Sequence, residues 1–301
     1  MIMGKMTNFK VQISNYLTFG FWHLDLVYLF GIWILTFGFI GLTASCSRET
    51  PTGKGSAGQL DAKDDMVLIG AGEFTMGSDK VEIKEESLKP LEPLFKAEKP
   101  RHKVFLKAFY MDKYETTNLK YKKLVDATKR KPPSIWKDGK YQDGRDNHPV
   151  TLVAWQDADE YCRWAGKRLP TEAEWEKAAR GGDERQFPWG NEFDGSKANT
   201  EESKLDDTVP VGSYESGKSP YGVYDMVGNV WEWTADWYRP YPGNKEENEF
   251  FGDAFKVARG GAHGTSGGHY IIQQLYRTSF RFFFYPERMY TDVGFRCAKH
   301  K

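Results

Sequence analysis

The sequence predicts an irregular, loop-rich α+β domain, and two observations lead there. Thirty Gly and ten Trp among 301 residues suit a core built on many turns, not a helical bundle. Short strand-like runs also alternate with capped helical ones along the chain. Met66 to Met76 alternates loosely, with Gly70, Gly72 and Gly77 as punctuation, and predicts a β-hairpin. Ser78 to Lys103 is charged and broken by Pro90 and Pro93, as a surface loop would be. Val104 to Met111 reads as a strand. Thr116 or Thr117 can cap a helix running through Tyr121 to Ala127, which Pro132-Pro133 stops. His148 to Trp155 is extended and leads into a helix from Gln156 to Gly166, entered at Ala154 without a capping hydroxyl. Thr171-Glu-Ala-Glu174 is a capping box for a helix that reaches Arg180 and ends at Gly181-Gly182.

Lys+Arg and Asp+Glu balance at 42 each, so no charge field points to nucleic acid or to an acidic membrane surface. The front of the chain differs in kind. Leu26 to Ser47 contains no formally charged residue, and its apolar part is long enough to cross a hydrocarbon core of about 30 Å. Lys5 and Lys10 before it predict an inside N-terminus and an exported domain. Thr43-Ala-Ser-Cys46 resembles a bacterial lipoprotein processing site, with Cys46 as the lipidated residue; an uncleaved signal anchor is the alternative. The expected organisation is therefore a signal or anchor segment over 1–46, a flexible tether over 47–64 and a folded domain over 65–301. The protein is expected to be membrane-anchored and extracytoplasmic, in the periplasm or at the surface of a bacterium.

Tyr221 to Trp237 holds three Trp, two Tyr, two Gly and three carboxylates in seventeen residues and follows neither the helical nor the strand period. Asp225 and Glu232 bracket a turn whose carbonyls could join them as hard oxygen ligands for Ca²⁺. The plainer reading is that the acids cap turns and the rings pack.

The same stretch resembles the signature of the formylglycine-generating enzyme family, the sulfatase-modifying-factor domain. Met66 to Gly77, Lys167 to Gly182, Arg259-Gly-Gly261 and Val293 to Ala298 arrive in the family's order, together spanning Asp65 to Lys299. The resemblance implies a C-type-lectin-like fold. It implies calcium at Asp225, Gly228, Val230 and Glu232, and a second calcium at Asn199 and Thr200, although Ser203 stands where an acidic partner is expected. It also implies a disulfide between Cys162 and Cys297; two buried free thiols are the alternative.

One part of the family pattern is missing. The family's oxidases bind Cu(I) through two cysteines between Arg-Gly-Gly and Gly-Phe-Arg, and soft thiolates suit that ion. The interval from Arg259 to Arg296 contains no cysteine; Thr265 and Gln273 fall at the two ligand positions. Ala262 replaces a serine and Asp292 an asparagine, so copper is not expected. His263 and His269, with Asp292 or Glu287 nearby, could hold another transition metal or be ordinary loop histidines. Arg277 and Arg281 beside Phe280 and Phe282–Phe284 either grip a peptide or form salt bridges within a core. The resulting expectation is a binding, accessory or maturation module for an exported or cell-envelope protein or peptide. An oxidoreductase using a different metal and the family's formylglycine-generating oxidase are the alternatives.

Overall fold

The fold is taken from a computed structural model, and it is described for residues 65–80, 89, 91–264 and 273–301. The proposed membrane segment, the tether, Cys46, Thr265 and His269 lie outside these residues. No helix among the described residues is long and apolar enough to cross a membrane. The chain from Asp64 to Lys301 holds together as one unit.

Among the described residues, three small sheets and four α-helices make up the architecture. β1 (Met66–Ile69) and β2 (Gly72–Met76) do not pair with each other as the predicted hairpin would. β2 pairs with β3 (His102–Leu106), while β1 pairs with β4 (Phe109–Asp112), so the strand read from Val104 to Met111 is two strands serving two sheets. β9 (Ala298–His300) completes the β1-β4-β9 sheet. The third sheet runs β7-β6-β5-β8, from β5 (Trp231–Trp237), β6 (Lys256–Arg259), β7 (Phe282–Phe284) and β8 (Val293–Gly294), with only the β5–β8 pair parallel. Tyr221–Trp237 is thus half turn and half strand, which explains why one period did not fit it.

The supposed surface loop before β3 is partly core. Its short helix α1 (Glu92–Lys96) buries Leu94 and Phe95. α2 (Asn118–Thr128) starts at Thr117, whose hydroxyl accepts from the Lys120 N–H. α3 (Trp155–Trp164) starts at Ala154, where no side chain caps the helix; the Asp157 carboxylate instead reaches back to the Ala154 N–H at 3.0 Å. In α4 (Glu172–Arg180) the capping box is complete: Thr171 accepts from the Glu174 N–H, and Glu174 accepts from the Thr171 N–H. The main apolar cluster lies between α2, α3 and the four-stranded sheet; α4 covers a second cluster against β1 and β4.

Cys162 on α3 and Cys297 just before β9 are joined by a disulfide within the main cluster, and neither is exposed. The bridge ties the helical layer to the last strand across 135 positions of sequence.

Candidate functional site

β6 delivers the Arg259-Gly260-Gly261 turn beneath α4. Gly260 has φ +97°, and a Cβ there would stand 3.2 Å from the Trp175 ring, so a side chain is both strained and crowded. Ala262 follows, fully buried, its carbonyl accepting from the Tyr276 hydroxyl at 3.2 Å. The His263 N–H donates to the Asn229 carbonyl, while its Nδ1 is buried without a hydrogen-bond partner among the described residues. Burial pushes the imidazole's pKa down, opposed by the nearby carboxylates of Asp292, Asp207 and Asp206. Burial likewise pushes the Asp292 carboxyl up, and His263 draws it back. Two expected residues, His263 and Asp292, thus lie within electrostatic reach of each other. Gln273 is exposed at the start of a 3₁₀ turn (Gln273–Tyr276). Glu287 is exposed and is not among the groups acting on His263; its field falls on Tyr290 instead. Among the described residues, no three His, Cys, Asp or Glu side chains converge as metal ligands would.

The predicted calcium turn immediately precedes β5. Asp225, Gly228 and Asn229 all take positive φ (56°, 77° and 60°). A Cβ at Gly228 would lie 2.3 Å from the Asn199 carbonyl oxygen, so the turn needs glycine there. Glu232 is already engaged: Arg296 donates to both its oxygens at 2.6 and 2.7 Å, and the Trp175 indole adds a third bond at 2.9 Å. Asp225 accepts from the Gly212 N–H at 2.7 Å. Glu115, which the sequence reading missed, joins these acids. Its Oε2 accepts from the Asn229 side chain at 2.7 Å, and its Oε1 is buried without a hydrogen-bond partner among the described residues. Arg296 bonds the Glu232 carboxylate and acts on the carboxylates of Asp225 and Glu115 only through its field. Burial raises the Asp225 carboxyl to about 6, and burial plus the fields of Asp225 and Glu232 hold Glu115 well above the ordinary range. The signal for Glu115 was an acid directly ahead of a helix cap, which reads equally well as part of the turn.

Asn199 and Thr200 lie together in a turn closed by Ser203. The Asn199 side chain accepts from the Ser203 hydroxyl and donates to the Asp207 carbonyl and the Asn229 side chain. The Thr200 carbonyl accepts from the Ser203 N–H. Ser203 therefore supplies donors at the position where the family pattern puts an acid.

Arg277 and Arg281 are corrected from substrate-binding to core residues. Arg281 is buried, donates to both oxygens of Glu172 at 2.9 and 2.7 Å and stacks on Tyr241 at 4.1 Å. Arg277 donates to both oxygens of Glu98 at 2.8 and 2.6 Å. Arg259 bridges Glu172 and Glu176, and Arg180 returns to Glu176 at 2.8 Å. These four arginines and three glutamates form a buried ionic lattice between α4, the end of α1 and the β6–β7 layer. No arginine of this group is free to hold a peptide.

Residues 54–301 match the family profile described as the Sulfatase-modifying factor enzyme 1-like domain. The chain is similar to the formylglycine-generating enzyme of Mus musculus, 32% identical over 77% of this chain and 74% of that protein. Among solved structures, PvdO from Pseudomonas aeruginosa superposes with a TM-score of 0.61 at 28% identity, over 78% of this chain and 94% of that one. Treponema denticola variable protein 1 reaches the same TM-score at 21% identity, over 78% and 95% of the two chains, a likeness of fold alone.

Proposed function

Because the chain belongs to the sulfatase-modifying factor enzyme 1-like domain family, we propose that it keeps the family scaffold without copper oxidation chemistry. In this reading it is a membrane-tethered, extracytoplasmic binding or maturation module for an exported or cell-envelope protein or peptide. The supporting observation is the fate of its sulfur. The domain's two cysteines, Cys162 and Cys297, are spent on one buried disulfide, and the interval from Arg259 to Arg296 offers no thiol. A cuprous ion wants thiolates, which a disulfide does not supply. The donor set does not fit copper, and no oxidative step is assigned to it.

The purified full chain, supplied with copper and a cysteine-containing sulfatase-type peptide, is expected to form no aldehyde detectable by mass spectrometry. Aldehyde formation would overturn the reading. A second reading rests on the unpartnered His263 Nδ1 beside Asp292: a different transition metal held with His269. Metal retained at one equivalent after aerobic purification, and lost in a His263→Ala/His269→Ala double variant, would establish it over the first.

Calcium belongs to the same proposal. Asp225 and Glu232, with the Gly228 and Val230 carbonyls, offer the hard oxygen ligands such an ion takes, and the buried carboxylate of Glu115 adds to the negative charge around them. Glu232 would share its charge between that ion and Arg296. Added calcium at a hundredfold excess over its Kd should stabilise the fold by about 2.7 kcal/mol. The check is a thermal melt with calcium and with chelator, repeated on Asp225→Ala. An identical melt in both buffers for the parent chain removes calcium from the proposal.

A further inference from the structure

Asp206 and Asp207, whose charges act on His263, belong to a strap of chain from Lys204 to Val211. A Cβ added at Gly264 would stand 3.7 Å from the Asp206 Oδ1, so the strap lies against the turn that carries His263. We propose that His148 is a proton-operated latch on this strap. Neutral, it holds the limb from Lys204 to Thr208 against the His263 turn; protonated, it lets that limb go.

Arg145 fixes which atoms donate and which accept. Its Nη1 lies 2.9 Å from the His148 Nδ1, and a guanidinium has no lone pair to offer. Nδ1 is therefore the acceptor, and the neutral ring carries its proton on Nε2. The Thr208 Oγ1 stands 2.9 Å from the same Nδ1 and 3.3 Å from Arg145 Nη1. Arg145 also donates to both oxygens of Asp207, from Nη1 at 3.1 Å and from Nη2. A proton on Nδ1 turns this acceptor into a donor and sets one cation against another. Thr208 can take the new N–H, but the guanidinium must withdraw, and its bonds to Asp207 and Thr208 go with it.

The limb is weakly held elsewhere. Lys204 to Asp207 are exposed, Leu205 among them, so no apolar side chain anchors it. Lys204 and Asp206 sit at φ 53° and 50°, a left-handed backbone that strains non-glycine residues and relaxes on release. Its other ties are short-range: the Lys204 N–H to the Glu201 carbonyl, the Leu205 N–H to the Ser203 hydroxyl, and the Asn199 side chain to the Asp207 carbonyl. Past Thr208 the strap is fastened. Val209 exchanges two bonds with the Asn229 side chain, and the Val211 N–H donates to the Asn147 carbonyl, so release stops there.

The direction with pH follows from the groups facing the ring, Arg145 and Asp207. Burial and the Arg145 charge hold the His148 imidazole below its ordinary value, against the pull of Asp207. The latched form thus binds a proton more weakly than the released one. The latch is closed above about pH 6.5, the ordinary histidine value, and is lost as the pH falls below it. Burial pushes the Asp207 carboxyl up, but its bonds to Arg145 and to the Thr208 N–H bring it below the ordinary range, so it stays charged across this window. Acid medium therefore uncovers His263 and draws two carboxylates away from it, which makes access to the candidate site a function of pH.

Hydrogen exchange of the full chain in detergent, read by mass spectrometry and corrected for the intrinsic pH dependence of amide exchange, tests the latch. Between pH 7.5 and pH 5.0 the corrected exchange of Lys204–Thr208 should quicken at least tenfold, with α4 unchanged as the internal standard. His148→Asn puts an amide oxygen that does not titrate where Nδ1 stood, and should abolish the response. Arg145→Gln should exchange fast at both pH values. His263→Gln should respond as the parent does. Equal corrected rates at the two pH values in the parent, a response that survives His148→Asn, slow exchange in Arg145→Gln at pH 7.5, or a response lost in His263→Gln would each overturn the proposal.

Discussion

Glu172→Ala is expected to destabilise the domain by about 3–5 kcal/mol, the range for stranding a buried charge. Glu172 is 3% exposed, and its oxygens take bonds from Arg259, from Arg281 twice and from the Tyr241 hydroxyl. Arg259 keeps Glu176 when Glu172 is removed, but Arg281 loses the one carboxylate it bonds among the described residues and retains carbonyl contacts at Ala97 and Arg239. An uncompensated guanidinium is then left in the core. Domains of ordinary size are stable by roughly 5–15 kcal/mol, so one substitution removes a large share. Glu172→Gln keeps hydrogen-bond acceptance while losing charge, and should fall between parent and alanine. Urea unfolding followed by circular dichroism measures this, and an alanine variant within about 1 kcal/mol of the parent would refute the role given to the lattice.

The second large effect is the disulfide. Removing it with Cys162→Ala/Cys297→Ala frees a loop of 135 positions in the unfolded chain, which costs about 5 kcal/mol on the chain-entropy estimate. The loss of two buried sulfurs from the main cluster adds to it. The double variant should unfold at much lower urea with a changed slope, because its unfolded state is less compact. Reductant added to the native parent should act slowly, since neither sulfur is exposed. A double variant with the parent's midpoint would show that packing alone holds α3 to the end of the chain.

How far these features were legible in the sequence depended on whether their partners were local. The capping box at Thr171 and Glu174 and the cap at Thr117 were readable because every participant lies within four residues. The Cys162–Cys297 bridge was implied by family resemblance and is present. The ionic lattice was not foreseen. Arg277 meets Glu98 across 179 positions, and Arg281 meets Glu172 across 109, so nothing near either arginine distinguishes a core ion pair from a solvent-facing grip. Glu98 also lay in a segment whose charges and prolines read as surface, although α1 turns Leu94 and Phe95 inward. The first hairpin was misread for a related reason: alternation shows that β1 and β2 are strands but not which strand each pairs with. At the candidate site, the missing thiols were plain from the residues themselves, whereas the gathering of Glu115 with Asp225 and Glu232 needed the fold.

The lattice also sets how this protein meets its surroundings. Mobile ions weaken attraction only where they can approach it, and Arg259, Arg281 and Glu176 are sealed from solvent. A rim pair such as Arg145–Asp207, with both partners partly open to water, feels every change in the medium. The domain's interior cohesion is thus insulated from swings in the salinity of its medium, which can retune its surface contacts while leaving the scaffold beneath them unchanged.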